Sequence, residues 1–84
     1  MKYEVRIIPS VEKEMDKLTT PLHKRISRRI LSLEDEPRPR GVKKLSRRDE
    51  YRLRVGDYRV LHAIDDHRHV ITVFAVGHRR EVYR

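Results

Sequence analysis

Ten residues in the middle of the chain limit its fold more than any other stretch. From Tyr51 to Val60 the sequence runs Tyr-Arg-Leu-Arg-Val-Gly-Asp-Tyr-Arg-Val. Side chains alternate across a strand, so Arg52 and Arg54 point one way and Tyr51, Leu53 and Val55 the other. If Gly56-Asp57 is a two-residue hairpin loop, Val55 faces Tyr58 and Arg54 faces Arg59. Cross-strand partners share a face, so Arg52, Arg54 and Arg59 converge on one side of the sheet. An even-length loop keeps that arrangement; an odd loop or a bulge breaks it.

A hairpin with one polar face needs cover on the other, and the flanking sequence supplies it. Asp65-Asp66-His67-Arg68 reads as a second turn, leading into Val70 to Val76. That run is nearly all apolar, which predicts an interior strand with both faces covered. Gly77 is expected to break it, leaving a tail from His78 to Arg84. Upstream, Lys2 to Ile8 alternates polar and apolar, a half-buried strand that Pro9 ends. Ser10 is the expected cap of a first helix, in which Val11, Met15 and Leu18 share a face. Thr20 and Pro21 start a second helix with a stripe of Leu22, Ile26, Ile30 and Leu33, while His23, Lys24, Arg25, Arg28 and Arg29 lie largely off it. Pro37 and Pro39 stop this helix and open a basic linker, Arg38 to Arg48, expected to be irregular. The order is an N-terminal strand, a two-helix hairpin on one face of a sheet, an antiparallel three-strand meander and a short C-terminal segment. It predicts a single α+β domain over residues 1–84, with Tyr3, Tyr51 and Phe74 in the core.

Charge narrows the partners. Charged residues make up 40% of the chain and hydrophobic ones 37%, close to the composition of disordered chains, so the expectation of a fold rests on pattern. The surplus of 21 Lys and Arg over 13 Asp and Glu gives a net charge of +8, a field that attracts polyanions. Nucleic acid is the first candidate partner, an acidic protein segment the second and an anionic membrane surface the third. No stretch is long or apolar enough to span or anchor in a bilayer, and the first residues hold no apolar run of signal-peptide length. The reading is a cytoplasmic protein with no membrane partner. With no cysteine there are no disulfides or thiolate metal sites. Asp65, Asp66, His67 and His69 could be taken as metal ligands, but a turn rich in Asp and His is more often a hairpin loop. Neither metal nor cofactor is expected.

Like charges placed opposite each other destabilise a sheet. Three gathered guanidiniums therefore suggest a site kept for an anion, because Arg matches phosphate with paired hydrogen bonds and stays charged at any working pH. The alternative is a solvated polar face with Asp49, Glu50 and Asp57 as counter-ions. Pattern alone leaves the two about even.

The stretch from Tyr51 to Val60 resembles the signature hairpin of the RelE/ParE toxin superfamily. Val76-Gly77-His78-Arg79-Arg80-Glu81-Val82-Tyr83 resembles the end of that family's last strand and its C-terminal segment, and the Pro-flanked helices and Lys43-Lys44-Leu45 sit in the expected order. The resemblance spans essentially the whole chain and implies a RelE-like fold. It also implies a toxin of a toxin–antitoxin system, a ribonuclease that cuts messenger RNA, typically in the ribosomal decoding site, and is blocked by a cognate antitoxin. No DNA contact by the toxin alone is implied. Arg59 resembles the arginine that holds the scissile phosphate, Arg79 a second phosphate-stabilising arginine, and Tyr83 the tyrosine near the nucleophilic 2′-hydroxyl. Arg52 and Arg54 stand where RelE has lysines. Arginine does not exchange protons as lysine can, so these two stabilise charge and neither is a general base. His78, beside Arg79, is the substitute proton carrier, or else a solvated residue after a strand. Lys43, Lys44, Arg47 and Arg48 resemble a basic loop that grips RNA backbone. Two rivals stay open. A ParE-like inhibitor of DNA gyrase would share the fold, although ParE-type chains generally lack the assembled arginines and C-terminal tyrosine. A basic RNA-binding module without catalysis is the other, with only Tyr58 among the central arginines to stack on bases.

Overall fold

The computed structural model describes residues 2–45 and 49–80. Its elements in chain order are β1 (Glu4–Ile7), α1 (Pro9–Asp16), α2 (Thr20–Ser32), β2 (Lys43–Lys44), β3 (Glu50–Val55), β4 (Tyr58–Asp65) and β5 (Val70–His78). The strands form one sheet in the order β1-β5-β4-β3-β2, with β1 parallel to β5 and the other neighbours antiparallel. This is the expected α+β arrangement with one added strand. Lys43 and Lys44 fall in the stretch read as an irregular linker, yet they pair with Arg52 and Tyr51 on the edge of β3.

Both helices pack their apolar faces on one side of the sheet. Ile26, Ile30 and Leu33 are fully buried and, with Val11 and Met15 from α1, meet Leu53, Val55, Val60, Ile64, Ile71 and Val73. The 3.6-residue stripe and the two-residue alternation thus locate the same core from two directions. Helix starts are where local reading fails. Ile8, not Ser10, precedes α1, and Pro9 is its first residue; Thr19, not Thr20, precedes α2. Neither cap residue makes a side-chain hydrogen bond to its helix. Proline's fixed φ suits the first turn and needs no donor there, so Pro9 begins the helix it was expected to hold off.

β5 is interior, as its apolar run predicts, but it is covered along only part of its length. Ile71 and Val73 are buried, while Phe74 to His78 are half-buried. β1 reaches only Val73, so among the described residues the far half of β5 has a partner strand on one edge alone. Phe74 sits where the register slips between Leu61↔Ala75 and His62↔Val73. This bulge takes Phe74 out of the core, contrary to its sequence reading, while Tyr51 is buried and Tyr3 packs against the core from its rim.

The Pro-rich linker is pinned to the sheet. Arg38 donates through Nε to the Tyr51 hydroxyl (2.9 Å) and through Nη1 and Nη2 to the Asp66 carboxylate (3.3 and 2.8 Å). Tyr3 donates to the same carboxylate at 2.6 Å. These bonds, Arg38 first, hold the Asp66 carboxyl down to about 2. Under this network His62 is fully buried, stacked on Tyr51, with Nε2 3.2 Å from the Pro37 carbonyl. Burial pushes the His62 imidazole down from its ordinary value. Among the described residues no helix is long and apolar enough to cross a membrane.

Candidate nucleic-acid interface

The hairpin has the register that parity predicts: Val55 pairs with Tyr58, Arg54 with Arg59, Leu53 with Val60 and Arg52 with Leu61. Gly56, first of the two loop residues, has φ +61°, the backbone of a type II′ turn, whose twist matches the strands it joins. β2 extends the row, because Lys43 pairs with Arg52. Lys43, Arg52, Arg54 and Arg59 therefore share the face turned away from the helices, across three adjacent strands. Lys44, paired with Tyr51, has the opposite parity and does not join them.

Two like-charged pairs, Lys43 with Arg52 and Arg54 with Arg59, lie directly opposite each other, an arrangement that disfavours the sheet. Among the described residues the ion pairs are elsewhere, and none links Asp49, Glu50 or Asp57 to this face. Arg59 is also more enclosed than an open strand position implies, only 7% exposed. Its Nη1 donates to the carbonyls of Gly56 (3.3 Å) and Tyr58 (3.2 Å). The Nε atoms of Arg52 and Arg59 are buried without an acceptor. These two residues are diagonal neighbours, about 7–8 Å apart by sheet geometry. Buried donors without acceptors are costly, and the guanidiniums that carry them are the groups that match a phosphate with paired hydrogen bonds.

The C-terminal candidates divide. Gly77 does not end β5; it pairs with Arg59 and places no side chain against it. Alternation then continues, so His78 pairs with Tyr58 on the helix side of the sheet, its ring edge-on to Tyr58 at 5.7 Å. There it lines a groove with Glu14, Lys17 and Leu18 of α1. Expected beside the arginines, His78 stands across the sheet from them. The exposed Arg79 follows, and its backbone N–H donates to the Asp57 carbonyl at 2.8 Å, tying the end of β5 to the hairpin loop. Tyr83, Arg47 and Arg48 lie outside the described residues.

Residues 5–83 match the family model described as the ParE toxin of type II toxin–antitoxin system, parDE. The chain belongs to the RelE/ParE toxin family. Solved structures agree in fold. The toxin is similar to a chain of the archaeal RelE–RelB complex from Pyrococcus horikoshii OT3, at 33% identity, covering 98% of this chain and 100% of that one with a TM-score of 0.88. The RelBE2 toxin–antitoxin complex of Mycobacterium tuberculosis matches at 28% identity, 94% and 100% coverage and a TM-score of 0.81. The intact Escherichia coli RelBE complex matches in fold, at 22% identity, 90% and 95% coverage and a TM-score of 0.79. Comparison with curated proteins gives no match.

The toxin also brings to the hairpin cations from the basic face of the second helix, which the sequence left open between a contact with ribosomal RNA and simple solvation, and one from the linker. Arg25 of α2 reaches the hairpin loop, where its Nη1 lies 3.3 Å from the position a Cβ on Gly56 would take. Arg29 and Arg40 stand near Arg54 and Lys43. The spacing of Arg25 and Arg29, four residues apart on one helix face, was a usable signal. Arg40 offered none, because its place depends on the Arg38 anchor and on Gly41, whose φ is +90°.

Proposed function

We propose that this toxin is an endoribonuclease that cuts messenger RNA in the ribosomal A site. The observation that supports it is the cross-strand pair Arg54–Arg59, flanked by the unmet Nε donors of Arg52 and Arg59. RNA supplies its own nucleophile. The 2′-hydroxyl oxygen attacks the adjacent phosphorus, the bond from phosphorus to the 5′-oxygen breaks, and a 2′,3′-cyclic phosphate forms. The hydroxyl proton passes to a water molecule and the departing 5′-oxygen takes a proton from water, so the protons balance. No step requires a metal. The protein has to align the attack, stabilise the added negative charge and move those protons. Arg59 and Arg79 clamp the non-bridging oxygens, supported by Arg52 and Arg54, and Lys43 extends the cationic row along the strand of RNA. Tyr83 acts at the 2′-hydroxyl. His78, turned to the other side of the sheet, is left out of the proton transfers.

The partner in the resting state is a cognate antitoxin, as RelE of Pyrococcus horikoshii and of Mycobacterium tuberculosis is found in complex with its RelB. An acidic or amphipathic segment complements the +8 charge of the chain. The family model carries the ParE name, which makes gyrase inhibition the rival reading. Primer extension on messenger RNA after brief induction separates the two, comparing the wild-type toxin with Arg59→Ala and Tyr83→Phe. Cuts at phased positions within codons, lost in both variants, are expected. Toxicity without new RNA ends would transfer the assignment to gyrase.

A further inference from the structure

A second cationic hollow adjoins the arginine face. β2 stops at Lys43, and from Leu53 onward the outer edge of β3 has no partner strand among the described residues. There a hollow of about 340 Å³ opens, lined by Arg29, Arg40, Gly41, Lys43, Leu53 and Arg54. Its cations come from α2, the linker, β2 and β3, and no described carboxylate lines it. Among the described residues, none of these four side chains has an ion-pair partner. The favourable setting of a cation at a helix C-terminus accounts for Arg29 alone. Arg40 is carried to the hollow by a linker anchored through Arg38, and Gly41 turns the chain there with a backbone that side-chain-bearing residues rarely adopt.

We propose that this hollow binds a backbone phosphate of the same RNA strand, adjoining the phosphate held at Arg54 and Arg59. The inference rests on the nuclease reading and extends it. Arg54 belongs to both places: it opposes Arg59 across the hairpin and it lines the hollow. Lys43 lies two strands across and two residues along from Arg59, about 12 Å at ordinary strand spacing and rise. Two cationic seats joined through one arginine suit a chain of phosphates better than a small free anion. Leu53 is the one large apolar side chain in the described lining, which gives an acidic peptide little to bury.

The test is binding, kept separate from cleavage. Fluorescence anisotropy with a non-cleavable 2′-O-methyl octanucleotide, and competition by a 2′-O-methyl dinucleotide, are followed across a salt series. The double variant Arg29→Gln/Arg40→Gln should bind the octanucleotide roughly tenfold more weakly, the loss typical of a charged hydrogen bond. The slope of log affinity against log salt should shrink by about 0.7 for each phosphate no longer neutralised, and dinucleotide binding should stay unchanged. Lys13→Gln, on the exposed side of α1, should change neither. Equal losses for both lengths, an unaltered slope, or the same loss in Lys13→Gln would overturn the proposal. So would polyglutamate that binds more tightly than the octanucleotide and loses its affinity in the double variant, since that assigns the hollow to a protein. A slope change without new messenger-RNA ends would remove the nuclease reading and leave the hollow standing. Phased cuts with an unchanged slope would do the reverse.

Discussion

The Arg59 guanidinium makes two long bonds to neighbouring carbonyls and leaves Nε unsatisfied, opposite another arginine. Its position therefore works against stability, and substitution should separate function from folding. Arg59→Met keeps the aliphatic bulk and removes the unmet donor. RNA cleavage should be lost while the urea midpoint stays level or rises, by up to about 1 kcal/mol. A loss of stability in that variant would mean the guanidinium is structural. His62 and Asp66 set the response to acid. The folded state holds His62 below its ordinary 6.5, so the unfolded chain takes up that proton first. Stability from this group is full above about 6.5 and falls as pH drops below it. Asp66 is lowered from 3.8 to about 2, so its contribution is full above 3.8 and is lost between those values. Urea midpoints measured from pH 7 to pH 2 should show two declines, the upper removed by His62→Phe and the lower by Arg38→Ala. A single decline that neither variant alters would refute both assignments.

Among the elements, the hairpin was the most legible from sequence because period-two alternation and a two-residue loop leave one register that buries Leu53, Val55 and Val60. That register also placed Arg54 against Arg59. β2 was illegible because two lysines have no apolar alternation to read, and their pairing is a backbone matter settled by β3. The side taken by His78 was missed because a glycine was read as a strand break, although glycine can pair within a ladder. Burial of His62 was equally out of reach, since its acceptor, the Pro37 carbonyl, arrives from 25 residues away. Two substitutions test the elements directly. Gly56→Ala forces a side chain into the left-handed region and presses on Arg25; it should lower stability by about 1–2 kcal/mol in urea unfolding. Ile30→Ala, in the fully buried stripe of α2, should lose about 2–5 kcal/mol, a large share of what so small a domain holds. Near-wild-type midpoints would show that the loop twist or the helix stripe matters less than its geometry implies.

At the scale of the whole molecule, the +8 charge sets two responses to salt against each other. Screening relieves repulsion within the folded toxin and, on the proposed nuclease function, also weakens its hold on RNA. Raising salt from low to moderate concentration should therefore lift the melting temperature while RNA affinity falls; both moving the same way would contradict the charge argument. One feature of the topology acts earlier in the life of the protein. β1 finds its partner in Val70–Val73, at the opposite end of the described chain, and no other described strand flanks it. Residues near the start thus wait for residues near the finish, a pairing of high sequence separation that closes late. While the chain is being synthesised, β3 and β4 can pair before β5 is complete, but Glu4–Ile7 has nothing to pair with until Val73 has emerged. A nascent toxin is then an unfinished sheet until the segment that forms β5 has emerged.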